Sequence, residues 1–252
     1  MKITILQRNI EWANPQANIA RADEAISCLP DADLFVLPEM FSTGFCTQPE
    51  GIAESADSET LHWMKRKAAE RNCAIAGSVA VCENGNYYNR FYFVHPDGAV
   101  QHYDKKHLFT FGGEHKRSTG TERVVVNFRG VRILLEVCYD LRFPVWSRNL
   151  GDYDMILYVA SWPTPRVDAW SALLRARAIE NQCYVAGVNR MGTDPTCEYS
   201  GGSAIIDPYG KTIAECPWSR ESAVSADIDM EALQAFRKKF PVLDDADPFT
   251  LI

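Results

Sequence analysis

Three segments of the chain place reactive side chains where an apolar strand pattern stops. Leu34-Phe35-Val36-Leu37 is a continuous apolar run, as a strand covered on both faces requires, and Pro38 ends its ladder pairing just before Glu39. Val131 to Val137 is a second apolar run, and Cys138 stands where it gives way to Tyr139-Asp140-Leu141-Arg142-Phe143-Pro144. Tyr103-Asp104-Lys105-Lys106-His107-Leu108-Phe109 sets two lysines and a histidine between strand and loop, followed by Phe111-Gly112-Gly113-Glu114-His115. The chemistry open to such residues is nucleophilic. A thiol at a strand–turn–helix junction is presented at the sheet edge, and the N–H groups of the helix start can hold an oxyanion. The same dipole should enrich the thiolate. The base that such a thiol needs is His107, His115 or a carboxylate such as Glu39, and the residues by themselves do not choose among them.

Each segment also has a plainer reading. Glu39 would serve equally as a carboxylate capping the turn Ser42-Thr43-Gly44, Cys138 as one more buried cysteine, and the lysine pair as a solvated turn. The placement of Cys138 is that of a nucleophile elbow, without the Gly-x-Ser-x-Gly sequence. Eight cysteines, at positions 28, 46, 73, 82, 138, 183, 197 and 216, contain no C-x-x-C pair, and the five histidines lack metal-ligand spacing. No metal or other cofactor is expected. The N-terminus MKITILQRNI has no apolar leader core and no run reaches membrane-spanning length, so the chain reads as cytoplasmic with reduced thiols. Seven of the cysteines then read as small packing residues, with Cys138 set apart.

The elements that must position these groups alternate along the whole chain. Of 252 residues, 46% are hydrophobic and 23% charged, which suits one globular α/β domain with 241–252 as an aperiodic C-terminal tail. A formal charge of −7 argues against a nucleic-acid partner, whose binding rests on clustered basic residues. Strands are expected at 3–6, 34–37, 74–81, 87–94, 99–103, 124–128, 131–137, 155–160, 184–188 and 223–228, with a hairpin begun at 204–206. Helices are expected at 14–29, 57–72, 143–150, 166–181 and 230–239. Hairpins interleaved with β–α units imply mixed sheets. The turns His95–Gly98 and Asp207–Gly210 fall at matching hairpins, a sign of internal pseudo-symmetry.

With these blocks assembled, the chain resembles the nitrilase superfamily of carbon–nitrogen hydrolases. Leu37-Pro38-Glu39-Met40-Phe41, the Tyr103–Phe109 segment and Val137–Pro144 occur in family order. Further matches run through Tyr158–Pro163, Arg175–Asn181 and Gly201-Gly202-Ser203. Cys138–Asn149 and Ala186–Arg190 look most like the bacterial omega-amidase branch. The resemblance implies a four-layer α-β-β-α sandwich, assembled as a homodimer or larger homo-oligomer, with a small-molecule amide as substrate and neither nucleic acid nor membrane as partner. It implies a Glu–Lys–Cys triad of Glu39, Lys105 and Cys138, with Glu114 as a second site glutamate. Tyr139 would give a backbone oxyanion donor, Phe41, Phe45 and Trp162 apolar walls, and Arg166 the cation for a distal carboxylate, leaving Arg142 structural. The activity implied is hydrolysis of the terminal amide of a short dicarboxylic monoamide through a thioester. Nitrilases, carbamoylases and aliphatic amidases would use the same triad, and a silent binding subunit or a redox-sensing cysteine is the alternative outside that chemistry. Glu136, an acid on an apolar strand, is left either pairing with an arginine or facing a subunit interface.

Overall fold

A computed structural model describes residues 1–114 and 117–250. One sheet is built from β1 (Lys2–Gln7), β2 (Leu34–Val36), β3 (Glu54–Ser55), β4 (Ala74–Glu83), β5 (Asn86–Val94), β6 (Val100–Asp104) and β15 (Ser222–Asp227). The other contains β7 (Val125–Phe128), β8 (Val131–Val137), β9 (Met155–Ala160), β10 (Tyr184–Asn189), β13 (Ala204–Ile206) and β14 (Thr212–Glu215). A separate hairpin pairs β11 (Met191–Thr193) with β12 (Glu198–Ser200).

The two sheets repeat one pattern. In the first, β1, β2 and β4 run parallel and β5 and β6 fold back as a meander, while β15 pairs antiparallel with β1. In the second, β8, β9 and β10 run parallel, β13 and β14 fold back, and β7 pairs antiparallel with β8. The His95–Gly98 and Asp207–Gly210 turns join equivalent strand pairs, as the expected pseudo-symmetry requires.

Period-two burial explains how the layers assemble. In the first sheet Ile3, Ile5, Leu34, Val36, Ala74, Ala76, Phe91 and Phe93 face the second sheet. The alternate residues Leu6, Phe35, Leu37 and Ile75 pack under α1 (Pro15–Cys28) and α2 (Glu59–Arg71). Asn14 caps α1 through Ala17 N, and Ser58 caps α2 through Leu61 N. The outer face of the second sheet carries α3 (Val167–Glu180) and α4 (Met230–Lys239), which contribute Trp170, Leu174, Ala178 and Leu233 to the core. The result is the four-layer α-β-β-α sandwich that the resemblance implies.

The helix expected at 143–150 does not form. Residues Cys138–Arg142 make a 3₁₀ turn, and the chain then runs through turns to Leu150. Side chains there take over what a helix would do for the backbone. Asn149 Nδ2 donates to Tyr153 O and Asn181 O, Asn149 N donates to Asn181 Oδ1, and Tyr153 OH donates to Ser147 O. Pro144 also removes one donor. The hairpin β11–β12 and the two-residue β3 are too short to leave a periodic signal, and neither is expected from the sequence.

Candidate active site

Glu39 and Ser161 follow the carboxyl ends of β2 and β9, and Cys138 follows that of β8. Parallel strands in facing sheets therefore bring residues far apart in sequence to one place, as strand ends do in open α/β sheets. Ser161 N donates to Glu39 Oε2 at 2.6 Å across the two sheets. Lys105, one residue beyond β6, reaches Glu39 Oε1 at 3.2 Å and Glu114 Oε2 at 2.8 Å, and all three side chains are fully buried. Asn89 on β5 donates to both carboxylates, at 2.7 Å to Glu39 Oε1 and 3.2 Å to Glu114 Oε1. Phe109 N completes the set with a 2.7 Å bond to Glu114 Oε2.

Cys138 adopts φ +48°, a left-handed conformation that costs a residue with a Cβ about 1–2 kcal/mol. Asp140 stabilises the bend by accepting Val137 N at 3.0 Å, and it anchors the neighbouring loop through His107 N at 2.9 Å. Tyr139 N stands at the start of the 3₁₀ turn, where helix geometry leaves it without an intrahelical acceptor.

The electrostatics overturn the expectation of a thiolate favoured by the helix start. Burial, followed by Glu39, pushes the Cys138 thiol well above its usual range, and Lys105 and the Ser161 N–H only partly oppose this. A thiol held up in this way would need a base to act as a nucleophile. His107 is committed elsewhere: its Nδ1 lies 2.8 Å from Asp140 Oδ1 and its ring stacks on Phe143 at 3.8 Å. His115 lies outside the described residues. Burial alone would push Lys105 down, but Glu114 and Glu39 outweigh it and hold the ammonium above the ordinary lysine value.

A cavity opens onto this cluster, lined by Lys105, Cys138, Tyr139 and Ser161 at its base. Phe45, Phe109, Trp162 and Tyr199 form its walls. Arg142 lies over the Trp162 ring at 4.9 Å and Arg166 over the Phe109 ring at 5.2 Å, and both line the same space. Trp162 is held by its own N–H to Asn189 Oδ1 and by Nε1 to Arg166 O.

Thus Glu39, Lys105, Cys138 and Glu114 converge, and Tyr139, Trp162, Arg166 and Phe45 line one cavity with them. Phe41 does not. Met40 takes φ +44°, which turns the chain so that the Phe41 ring enters the outer core against Trp63 and the face of Gly77. Arg142, read from sequence as structural, is an exposed wall of the cavity. Cys28 is exposed and Cys197 lines the cavity, so neither is a packing residue. Asn89, Ser161, Phe109 and Tyr199 have no role in the sequence reading. Asn89 could have been found, since it shares strand parity with the inward-facing Phe91 and Phe93 and is a polar residue on an apolar face.

Glu136 is fully buried, neither pairing with an arginine nor reaching the surface, and both carboxyl oxygens lack a hydrogen-bond partner among the described residues. Burial, with Asp140 adding to it, pushes the carboxyl well above the usual range, although Arg123 and Arg177 pull the other way. Leaving such a group unsatisfied costs roughly 1–3 kcal/mol. Glu136→Leu should therefore raise Tm by about 2–10 °C in thermal unfolding. A group whose folded pKa is raised loses stability as pH climbs above its unfolded value, so the gain should be larger at pH 8 than at pH 4. An unchanged or lower Tm at pH 8 would show that the carboxyl is satisfied.

A buried carboxylate–ammonium cluster beside a strand-end thiol, at the base of a cavity in an α-β-β-α sandwich, is an arrangement suited to the class of carbon–nitrogen bond hydrolases. The sequence belongs to that class: the carbon–nitrogen hydrolase family model matches residues 2–238, and the chain is a member of this family. It is 48% identical to the omega-amidase YafV of Escherichia coli K12, covering 100% of this chain and 98% of that protein. It is 38% identical to a 2-oxoglutaramate amidase of Bacillus subtilis 168, covering 96% of each. A CN-hydrolase superfamily protein of Xanthomonas campestris, whose crystal structure holds an arsenic adduct in the active site, superposes with a TM-score of 0.96 at 42% identity, covering 100% of this chain and 98% of the other.

Proposed function

We propose that the protein is an omega-amidase that hydrolyses the terminal amide of a short dicarboxylic monoamide, such as 2-oxoglutaramate, to the dicarboxylate and ammonia. The observation that carries this reading is the two-ended cavity. Cys138 and Lys105 lie at its base, and Arg142 and Arg166 line its walls without a carboxylate partner among the described residues. A substrate with an amide at one end and a carboxylate at the other fits that polarity, and amidases of this specificity are among the relatives.

Glu39 takes the Cys138 proton as sulfur attacks the amide carbon, and Lys105 with Tyr139 N stabilises the oxyanion. Collapse breaks the C–N bond, and protonated Glu39 delivers its proton to the departing nitrogen, leaving a thioester and ammonia. Glu39 then deprotonates water, which attacks the thioester carbon. C–S cleavage releases the acid, and the proton returns to Cys138. The exposed aromatic and aliphatic surface of Ile179, Tyr209 and Phe240 beside α3 and α4 supports association of two copies through this outer helical layer.

Ammonia release from 2-oxoglutaramate, compared with release from butyramide, tests the assignment. Arg166→Met should raise KM for 2-oxoglutaramate about 10–100-fold, the worth of a hydrogen bond to a charged group. It should leave kcat/KM for butyramide, which has no carboxylate, within about threefold. Equal turnover of the two amides by the native protein, or equal losses in the variant, would refute the proposed polarity.

A further inference from the structure

We propose that Asn89 is a positioning residue for this reaction, its side-chain amide tying Glu39 to Glu114 and its carbonyl anchoring the backbone of Lys105. The Nδ2 group has two protons and two carboxylate oxygens to receive them, at 2.7 and 3.2 Å. Lys105 N donates to Asn89 O at 3.0 Å. One neutral residue therefore touches all three charged members of the cluster.

The amide supplies a donor to each carboxylate. Glu39 Oε2 is held by Ser161 N, and its Oε1 by Lys105 and Asn89. Glu114 Oε2 is held by Lys105 and Phe109 N, whereas Glu114 Oε1 has Asn89 as its donor. Two carboxylates share one ammonium in a buried space, so like-charge repulsion works against the spacing that Glu39 needs beside the thiol. Asn89 offsets that repulsion with donors and adds no charge. Its own Oδ1 is buried without a partner among the described residues. Packing would favour an apolar side chain at this point of β5, where the following inward residues are Phe91 and Phe93, so the position is explained by its two N–H groups. Reversing the amide would aim Oδ1 at both carboxylates, which fixes the orientation.

The inference rests on the Glu39–Lys105–Cys138 reading, and one assay separates the two. Asn89→Asp preserves size but replaces the donor by a charge, and kcat for 2-oxoglutaramate at pH 8 should fall at least about 100-fold with KM within threefold. Asn89→Ser retains one donor and should lose about 10-fold in kcat. Its acidic limb of the pH–rate profile should move to higher pH, because the carboxylate that must be ionised has lost a hydrogen bond. The serine variant carries the test should the aspartate variant not fold. The inference is overturned by wild-type kcat and an unmoved acidic limb in Asn89→Ser. Losses confined to KM, or proportional to the fraction unfolded by circular dichroism, overturn it equally. If Cys138→Ala still releases ammonia, the catalytic reading itself fails; if Cys138→Ala is inactive and both Asn89 variants turn over like wild type, only the role of Asn89 fails.

Discussion

Cys138→Ala should reduce ammonia release from 2-oxoglutaramate by about 10⁶-fold, the scale seen when a covalent hydrolase loses its nucleophile. Glu39→Gln should follow at about 10³–10⁴-fold, by a different route. Glu39 accepts from three donors, Ser161 N, Lys105 Nζ and Asn89 Nδ2, while a glutamine offers one oxygen. The variant removes the base and also sets an NH₂ group against a donor. Iodoacetamide distinguishes the two losses, with the modified residue mapped by mass spectrometry. Cys138 of Glu39→Gln should still be alkylated, but slowly, since the thiol held protonated by burial has lost its proton acceptor. If Glu39→Gln turned over at more than a tenth of the native rate, the base would have to be sought elsewhere. His107 is not a ready substitute, because Asp140 and Phe143 hold its ring away from the cavity walls.

How far the sequence carries this site depends on whether a signal is local. Glu39 and Cys138 are legible because each ends an apolar run, and the run fixes where the strand stops. Their meeting is not legible from either segment, since it depends on two sheets packing face to face. The base could not be chosen for the same reason: only the fold shows that His107 is engaged by Asp140 while Glu39 is held between Lys105 and Ser161. The state of the thiol is not legible because a helix start lowers a pKa and burial raises it, and burial is a tertiary quantity. Phe41 was misplaced by a left-handed Met40, a conformation that neither Gly nor Asn announces. Tyr199 and Cys197 reach the cavity from a hairpin whose strands are three residues each, too short for period-two patterning to register. Resemblance to a family supplied Lys105 over Lys106; physics explains the choice only afterwards, because Lys105 is buried between two acids and Lys106 lies over the Trp146 ring at 5.3 Å.

Lys105→Met should damage folding and catalysis together, with different pH signatures that separate the two. The ammonium is the cation between Glu39 and Glu114, and removing one partner of a buried ion pair costs about 3–5 kcal/mol. For a chain of this size that lowers Tm by roughly 6–20 °C at neutral pH. The sign with pH follows from linkage. Two buried carboxylates without a cation bind protons more tightly in the folded than in the unfolded state, so stability is lost as pH rises above the unfolded glutamate value near 4.3. The deficit should therefore shrink on acidification towards pH 4 and be largest from pH 7 upward. In the native protein the linkage of the lysine has the same sign but lies in a much higher pH window. Its folded pKa is raised, so its contribution is complete below the unfolded lysine value near 10.4 and declines only above it. Catalysis should not recover with stability. At pH 5, where the variant is closest to native in Tm, kcat should remain about 10²–10³-fold below wild type, because the fixed charge facing the oxyanion is gone and Glu39 becomes protonated where it must accept. Thermal melts and ammonia release measured on the same samples from pH 4 to 8 decide the matter. A deficit in Tm that grew on acidification would contradict the two-carboxylate cluster, and a kcat that recovered in step with Tm would reduce Lys105 to a structural ion-pair partner.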